Sequence, residues 1–425
     1  MKNLREVFLL KKWMMIMLTA LMLLSSVCAS AEETAAAPVS LDYSTIIDGE
    51  RIYYSGSIDG GERGVYIMNA DGSDPVRISE ITADLLALSG EHLLIHQYDL
   101  ETGDSTAAVL NSDGTCTPLE VEYGGKAIAA NGRFYWGMGS CAADGSDIQL
   151  YFTGDAVSAY EYYPLAVADG YYYYLDWSEM SGMVYAEGTS QPMGAALCRM
   201  NLSDQTHELV SPLGTRFIAI ENGMIYYTRD NYWCEMPDGT SSEVTVDQGL
   251  FAADLATLTE TCLAEYPADA SVVDSYMLVK DGVVYGTHSD YASEGPDAFG
   301  VIRVTAAGDA LDFLPVSSDV WRTISCVENG ILYVSECNII SYEDDFIQKD
   351  SIIAVNLTDG SETVLNPETI DMLFYSESDP AVKVVGGRVY FTAYDMERWS
   401  VCLKSMKLDG SDLTLLAHGV SFAEG

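Results

Sequence analysis

Positive charge is what this sequence has least of. It carries 21 Lys and Arg against 64 Asp and Glu, a formal net charge of −43 at pH 7. Nucleic-acid binding asks for a basic patch or stripe, so nucleic acid is excluded as a partner. An anionic membrane surface is excluded for the same reason. Histidine is scarce as well, with five residues. His92 and His96 stand four apart in one strand pattern and so share a face. A metal pair is conceivable there, but an ordinary exposed strand face explains the spacing as well. Of nine cysteines, none sits in a CxxC or a Cys/His cluster, which leaves zinc without support. GxSxG, HExxH, a phosphate-binding glycine loop and a dinucleotide fingerprint are all missing. Carboxylates are so abundant that no pair stands out as a glycosidase couple. The sequence therefore assigns no catalytic, cofactor-binding or metal residue, and no cofactor is expected. A long amphipathic helix is also missing. The nearest candidate, Phe251 to Thr261, falls where a strand is expected.

What is present begins with a leader. Lys2, Arg5, Lys11 and Lys12 precede an apolar run from Trp13 to Val27, and Ala29-Ser30-Ala31 fits a small-x-small cleavage site. Residues 1–31 are expected to be a signal peptide, with an uncleaved membrane anchor as the alternative. Val27 before Cys28 disfavours a lipoprotein signal. Removing this leader takes away four bases and one acid, Glu6, so the remaining chain is still more acidic. The expected location is extracytoplasmic, secreted or at the cell surface. Residues 32–43 read as a linker and 44–425 as the folded domain.

The cysteines beyond the leader are widely and irregularly spaced, and several fall inside strand patterns. Buried free thiols are the favoured expectation. Cys326 and Cys337, flanking one strand pattern, are the best candidates for a disulfide.

The stretch Ile47–Ser79 sets the pattern for the rest. Asp48-Gly49 is a turn dipeptide, since Gly reaches positive φ without a steric penalty. Arg51-Ile52-Tyr53-Tyr54-Ser55 is β-branched and aromatic, which suits a pleated, half-buried surface. Val65–Asn69 is a second strand, Asp71-Gly72 turns the chain back, and Val76-Arg77-Ile78 is a third. The turn glycine with its apolar-aromatic strand recurs at Gly90, Gly132, Gly170, Gly223, Gly282, Gly330 and Gly387, a period of roughly 40–50 residues. A second landmark, a strand closed by an Asp-Gly or similar turn, yields an apolar column: Met68, Leu110, Cys141, Met200, Met236, Val304, Val355 and Met406. Small apolar runs such as Ala127-Ile128-Ala129, Leu165-Ala166-Val167 and Phe217–Ile220 suit the crowded innermost strand of a propeller blade. Longer spacings place insertions at about Ser178–Pro192, Ser289–Phe299 and Glu336–Lys349, on loops where recognition would be carried. The Asp-Gly-Ser-Asp copies at 71–74, 144–147 and 409–412 lack the spaced ligand set of a calcium loop and read as hairpin turns. Tyr160, Tyr162, Tyr163 and Tyr171 to Trp177 could stack on a sugar or anchor a protein, though blade packing accounts for them.

Tyr53-Tyr54, Tyr66-Ile67-Met68-Asn69 and Asp71-Gly72-Ser73 together resemble one blade of a YWTD-type propeller, as in low-density-lipoprotein-receptor-related proteins. The bacterial propellers of unknown function that share the repeat are similar, and TolB-like propellers more distantly so. The pattern covers about Ser44 to Leu416. It departs from the receptor repeat in having Tyr or another apolar residue where that repeat has Trp, and in having eight units rather than six. The resemblance implies a binding or scaffolding propeller. The expected fold is all-β: a single β-propeller of about eight four-stranded blades, with seven as the alternative, closed by pairing of the first and last blades. Val420-Ser421-Phe422-Ala423 is the candidate closing strand. The expected function is a non-enzymatic, monomeric module that binds or scaffolds an unknown protein or glycan. A glycan-active hydrolase or lyase with carboxylates at the propeller mouth is the alternative.

Overall fold

Short β-branched and aromatic runs, each ended by a residue that accepts positive φ, fold as antiparallel strands. In the turn between Ala130 and Arg133, Asn131 and Gly132 have φ of 51° and 72°. Both central residues are left-handed, so the backbone twist matches that of the flanking strands. The structure is a computed structural model. It describes residues 38–421 apart from 59, 99–104, 122–124, 153–160, 178–194, 236–240, 245–246, 266–276, 291–297, 306–311, 316–320, 342–346, 371–372, 374–381 and 396–399. The expected signal peptide, Tyr160, Met236, the insertion at 178–192 and Phe422-Ala423 lie outside these residues. Among the described residues no helix is long and apolar enough to cross a membrane.

The protein is an all-β propeller. Among the described residues its strands pair in eight successive four-stranded units, here called blades, numbered from the N-terminus with strands counted outward from the centre. Blade 1 holds Thr45–Asp48, Arg51–Ser57, Arg63–Asn69 and Val76–Ser79. Blade 2 holds Asp84–Ser89, His92–Tyr98, Ser105–Asn111 and Cys116–Leu119. Blade 3 holds Ala127–Ala130, Arg133–Trp136, Gly139–Ala142 and Gln149–Leu150. Blade 4 has Tyr162–Ala168, Tyr171–Asp176 and Ala195–Asn201, and shares the long strand His207–Glu221 with blade 5. Blade 5 adds Met224–Arg229, Gly249–Asp254 and Glu260–Glu265. Blade 6 is Met277–Lys280, Val283–Asp290, Ala298–Thr305 and Asp312–Pro315. Blade 7 is Trp321–Glu328, Ile331–Ser341, Ile347–Asn356 and Glu362–Ile370. Blade 8 is Val382–Val385, Arg388–Asp395, Ser400–Lys407 and Thr414–Ser421.

Alternation along the second and third strands sends one face of each blade to the preceding blade and the other to the following one. The face toward the preceding blade carries a cross-strand apolar pair: Ile52 with Met68, Phe134 with Cys141, Tyr172 with Met200, Val389 with Met406. One residue further on, a tyrosine faces the following blade: Tyr53, Tyr135, Tyr173, Tyr226, Tyr285, Tyr333 and Tyr390, with Leu94 in blade 2. The core is therefore divided among the interfaces. Tyr135 packs with Tyr172 and Met200, Tyr285 with Leu332 and Val355, and Tyr333 with Val389 and Met406. The same packing joins the ends of the chain, where Tyr390 and Leu403 of blade 8 meet Ile52 and Met68 of blade 1. Tyr390 also donates to the carbonyl of Ala70 at 3.0 Å, and Ser57 pairs with His418. Ring closure leaves no long free edge between first and last blades.

Several expectations are corrected. In blade 5 the third strand is Gly249–Asp254, and Ala253, opposite Ile225, fills the packing column. Tyr232–Glu235, the strand that leads to Met236 of the expected column, pairs only with Ser241–Val244, and the two are inserted between the second and third strands. The stretch 251–261, by contrast, is strand, turn and strand, as its place in the repeat led one to expect. A Cys326–Cys337 disulfide does not form, because Cys326 is a free thiol opposite Tyr333 while Cys337 lies opposite Trp321. Burial pushes the Cys326 thiol up to about 12. In the expected insertions at 289–299 and 336–349, residues 289–290 and 298–299 lengthen the second and third strands of blade 6 and residues 336–341 and 347–349 those of blade 7, while 291–297 and 342–346 lie outside the described residues. Val39–Asp42 is already a strand, paired with Thr45–Asp48, so β-structure begins ahead of residue 44.

Candidate functional site

The sequence offered residues for three kinds of site, and the fold disperses them. His92 Nδ1 lies 2.6 Å from Asn111 Oδ1 across the sheet. His96 Nδ1 lies 3.6 Å from Asp84 on the other neighbouring strand, so each histidine has its own cross-strand partner. Asp71, Asp144 and Asp409 each turn a carboxylate oxygen back to the serine two residues on, accepting from its backbone N–H at 2.9 Å in every case. That is turn chemistry. Tyr172, Tyr173 and Tyr174 are buried between blades.

A feature that sequence reasoning missed is a cleft of about 380 Å3 between blades 7 and 8. Its floor is Ile331, Tyr333, Ala354 and Leu365 of blade 7, and Leu408 of blade 8 closes one side. Glu328 and Asp409 bring carboxylates to it; Asn329, Asn356, Ser361 and Thr363 bring amides and hydroxyls. This volume is at the small end of the ~300–1,000 Å3 typical of ligand pockets. Hydrogen bonds from the Ser411 hydroxyl and N–H hold the Asp409 carboxyl below the usual range, with Lys407 of its own blade adding to the effect. Burial raises the Tyr333 phenol, which stays neutral and can donate a hydrogen bond.

At the start of its second strand blade 7 lacks the arginine of blades 3 and 8, as blades 4, 5 and 6 do with Tyr171, Met224 and Val283. In blade 3, Arg133 lies flat across the third strand: Nε and an Nη reach Ser140 Oγ at 3.2 and 3.1 Å, and the fork meets the Asp147 carboxylate at 2.6 Å and carbonyl at 2.8 Å. Blade 8 repeats this clamp with Arg388, Ser405 and Asp412. In blade 4, Arg199 crosses the groove, stacks 4.1 Å over Tyr171 and donates to the Leu255 carbonyl of blade 5. In blade 7 the residue after the turn is Ile331, and the residue opposite Tyr333, where blades 3 and 8 have serine, is Ala354. The acid that follows Ser361 is Glu362, which turns away to accept from both Nη atoms of Arg322 at 2.7 and 2.9 Å. The signal was legible in the repeat, as Arg133, Arg388 and Ile331 in one column, but only the structure shows that this column lines an interface.

One pair elsewhere has the distance of a nucleophile and its base. Cys402 Sγ is 3.3 Å from His418 Nδ1, with 1% and 7% of these residues exposed. Burial of both residues closes the pair to a substrate, so it is read as a packed thiol–imidazole contact.

No family model matches the chain, and no curated protein is similar to it. Solved structures are. Porphyromonas gingivalis dipeptidyl peptidase 4 aligns at 10% identity and a TM-score of 0.49, over 90% of this chain and 60% of that one. The acylaminoacyl peptidase of Pyrococcus horikoshii aligns at 12% identity and a TM-score of 0.34, over 60% of this chain and 46% of that one. This chain thus spans about 60% of the length of the first. Both are named as peptidases. The expected protein- or glycan-binding scaffold, and its glycan hydrolase or lyase alternative, are corrected by that finding and set aside.

Proposed function

We propose that the protein takes part in peptide cleavage as a propeller that holds the peptide, with the cleft between blades 7 and 8 seating one of its side chains. The cleft carries the assignment. Its apolar floor suits a side-chain stem, Asn329 and Asn356 offer amides of the kind that pair with a peptide backbone, and Glu328 and Asp409 set the charge preference. Peptides are also what the names of the two similar structures point to. The basic and apolar leader keeps an extracytoplasmic location within this proposal.

Fluorescence anisotropy against a labelled peptide library tests it, with cleavage followed by mass spectrometry in the same samples. Saturable peptide association is expected, weakened about tenfold or more by Glu328→Gln with Asp409→Asn, since hydrogen bonds between charged groups are worth ~1.5–3 kcal/mol each. Folded protein that takes up no peptide at any concentration tested would contradict it.

A further inference from the structure

We infer that the blade 7–8 cleft is a guanidinium site, which receives the side chain of an arginine from a ligand in the place where blades 3 and 8 keep an arginine of their own. The argument starts from the repeat. Arg133 and Arg388 lie in equivalent grooves, and each spreads its fork over a serine hydroxyl, a carboxylate and a backbone carbonyl. A planar group with five donors fits such a groove, whereas an ammonium would satisfy fewer of the acceptors. In blade 7 the arginine is replaced by Ile331 and its serine acceptor by Ala354. The floor is thereby lowered, and the cleft remains.

The facing wall supports the same occupant. In blades 1, 3 and 8 the aspartate of the third-to-fourth-strand turn lies toward the preceding blade. Asp71 of blade 1 faces Arg388 of blade 8: hydrogen bonds from Ser73 hold its carboxyl low, and Arg388 holds it lower still. Asp144 of blade 3 is held low by Ser146 and, across the interface, by His92 of blade 2. Asp409 occupies the same position opposite blade 7 and meets Ile331 in place of a cation. The carboxylate of the cross-blade pair is kept, and its cationic side chain is not. Glu328 adds a second carboxylate from the end of the inner strand. The inference rests on the peptide proposal for the molecule that carries the guanidinium, but not for the site itself.

The test uses the whole chain and three small probes: N-acetyl-argininamide, its neutral analogue N-acetyl-citrullinamide, and N-acetyl-lysinamide, each followed by chemical-shift titration. The arginine probe should saturate. The citrulline probe should be weaker by about tenfold or more, because charge-assisted hydrogen bonds are roughly twice as strong as neutral ones, and the lysine probe should fall between. Ile331→Arg with Ala354→Ser, which rebuilds the clamp of blades 3 and 8, should abolish the titration while the cooperative melt is retained. Glu328→Gln, which keeps the volume, should weaken it without filling the cleft. Equal titration by arginine and citrulline probes, or full binding by the double variant, would overturn the inference. Peptides without arginine that bind while the arginine probe does not would also overturn it and leave the peptide proposal standing. An arginine probe that saturates on a protein indifferent to every peptide would support the site and remove the peptide proposal.

Discussion

At the scale of residues, the fold places few charges where water cannot reach them, and Asp42 is one. It is 7% exposed and accepts from the N–H and the hydroxyl of Ser44, both at 2.8 Å. Burial raises its carboxyl above the usual value, and the Ser44 hydrogen bonds oppose that shift only in part. A carboxyl whose folded pKa lies above its unfolded one favours the fold while protonated. That contribution is complete below the unfolded value near 3.8 and is lost as pH rises through the raised folded value. Asp42→Asn keeps an oxygen for Ser44 and never ionises. Thermal melts should therefore show the variant gaining on the native protein as pH rises from acid to neutral, with the two alike at the acid end. A native protein that gains on the variant toward neutral pH would contradict the burial account. Nothing in the sequence marked this residue, because its burial comes from Val39–Asp42 joining the first blade, ahead of the repeat.

At the scale of elements, the repeat was the most legible feature. Turn glycines, tyrosine strands and the column that includes Met68, Met200 and Met406 all stand in the sequence at their structural positions, because cross-strand pairing imposes a period of two on them. Each of these methionines is buried against a tyrosine or another large apolar side chain. Met200→Ala should cost ~2–5 kcal/mol in denaturant unfolding, the usual range for emptying a packed site. A loss near zero would show that the column does not bear on the interface. The column failed in blade 5, where the Asp238-Gly239 dipeptide after Met236 imitates the landmark in sequence, while the true third strand, Gly249–Asp254, carries small Ala252 and Ala253 in place of a large residue. Which strand pairs with Met224–Arg229 is a long-range choice that local pattern does not specify. The cleft was missed for a related reason. Ile331 is an unremarkable strand residue by itself, and becomes informative only when the interface shows what Arg133 and Arg388 do in the same place.

At the scale of the whole molecule, eight similar interfaces share the burden of closure, and seven large tyrosines, with Leu94, pack them. A ring built from copies makes departures from the copy visible. Blade 5 departs by its inserted hairpin, and blade 7 differs from blades 3 and 8 by a groove without arginine, edged by carboxylates. The second departure is the central claim, and diffraction from crystals soaked in N-acetyl-argininamide tests it most directly. The account predicts the guanidinium in the cleft, with its nitrogens at hydrogen-bonding distance from the carboxylates of Asp409 and Glu328. An unoccupied cleft at saturating probe, or a probe bound only elsewhere on the ring, would contradict it.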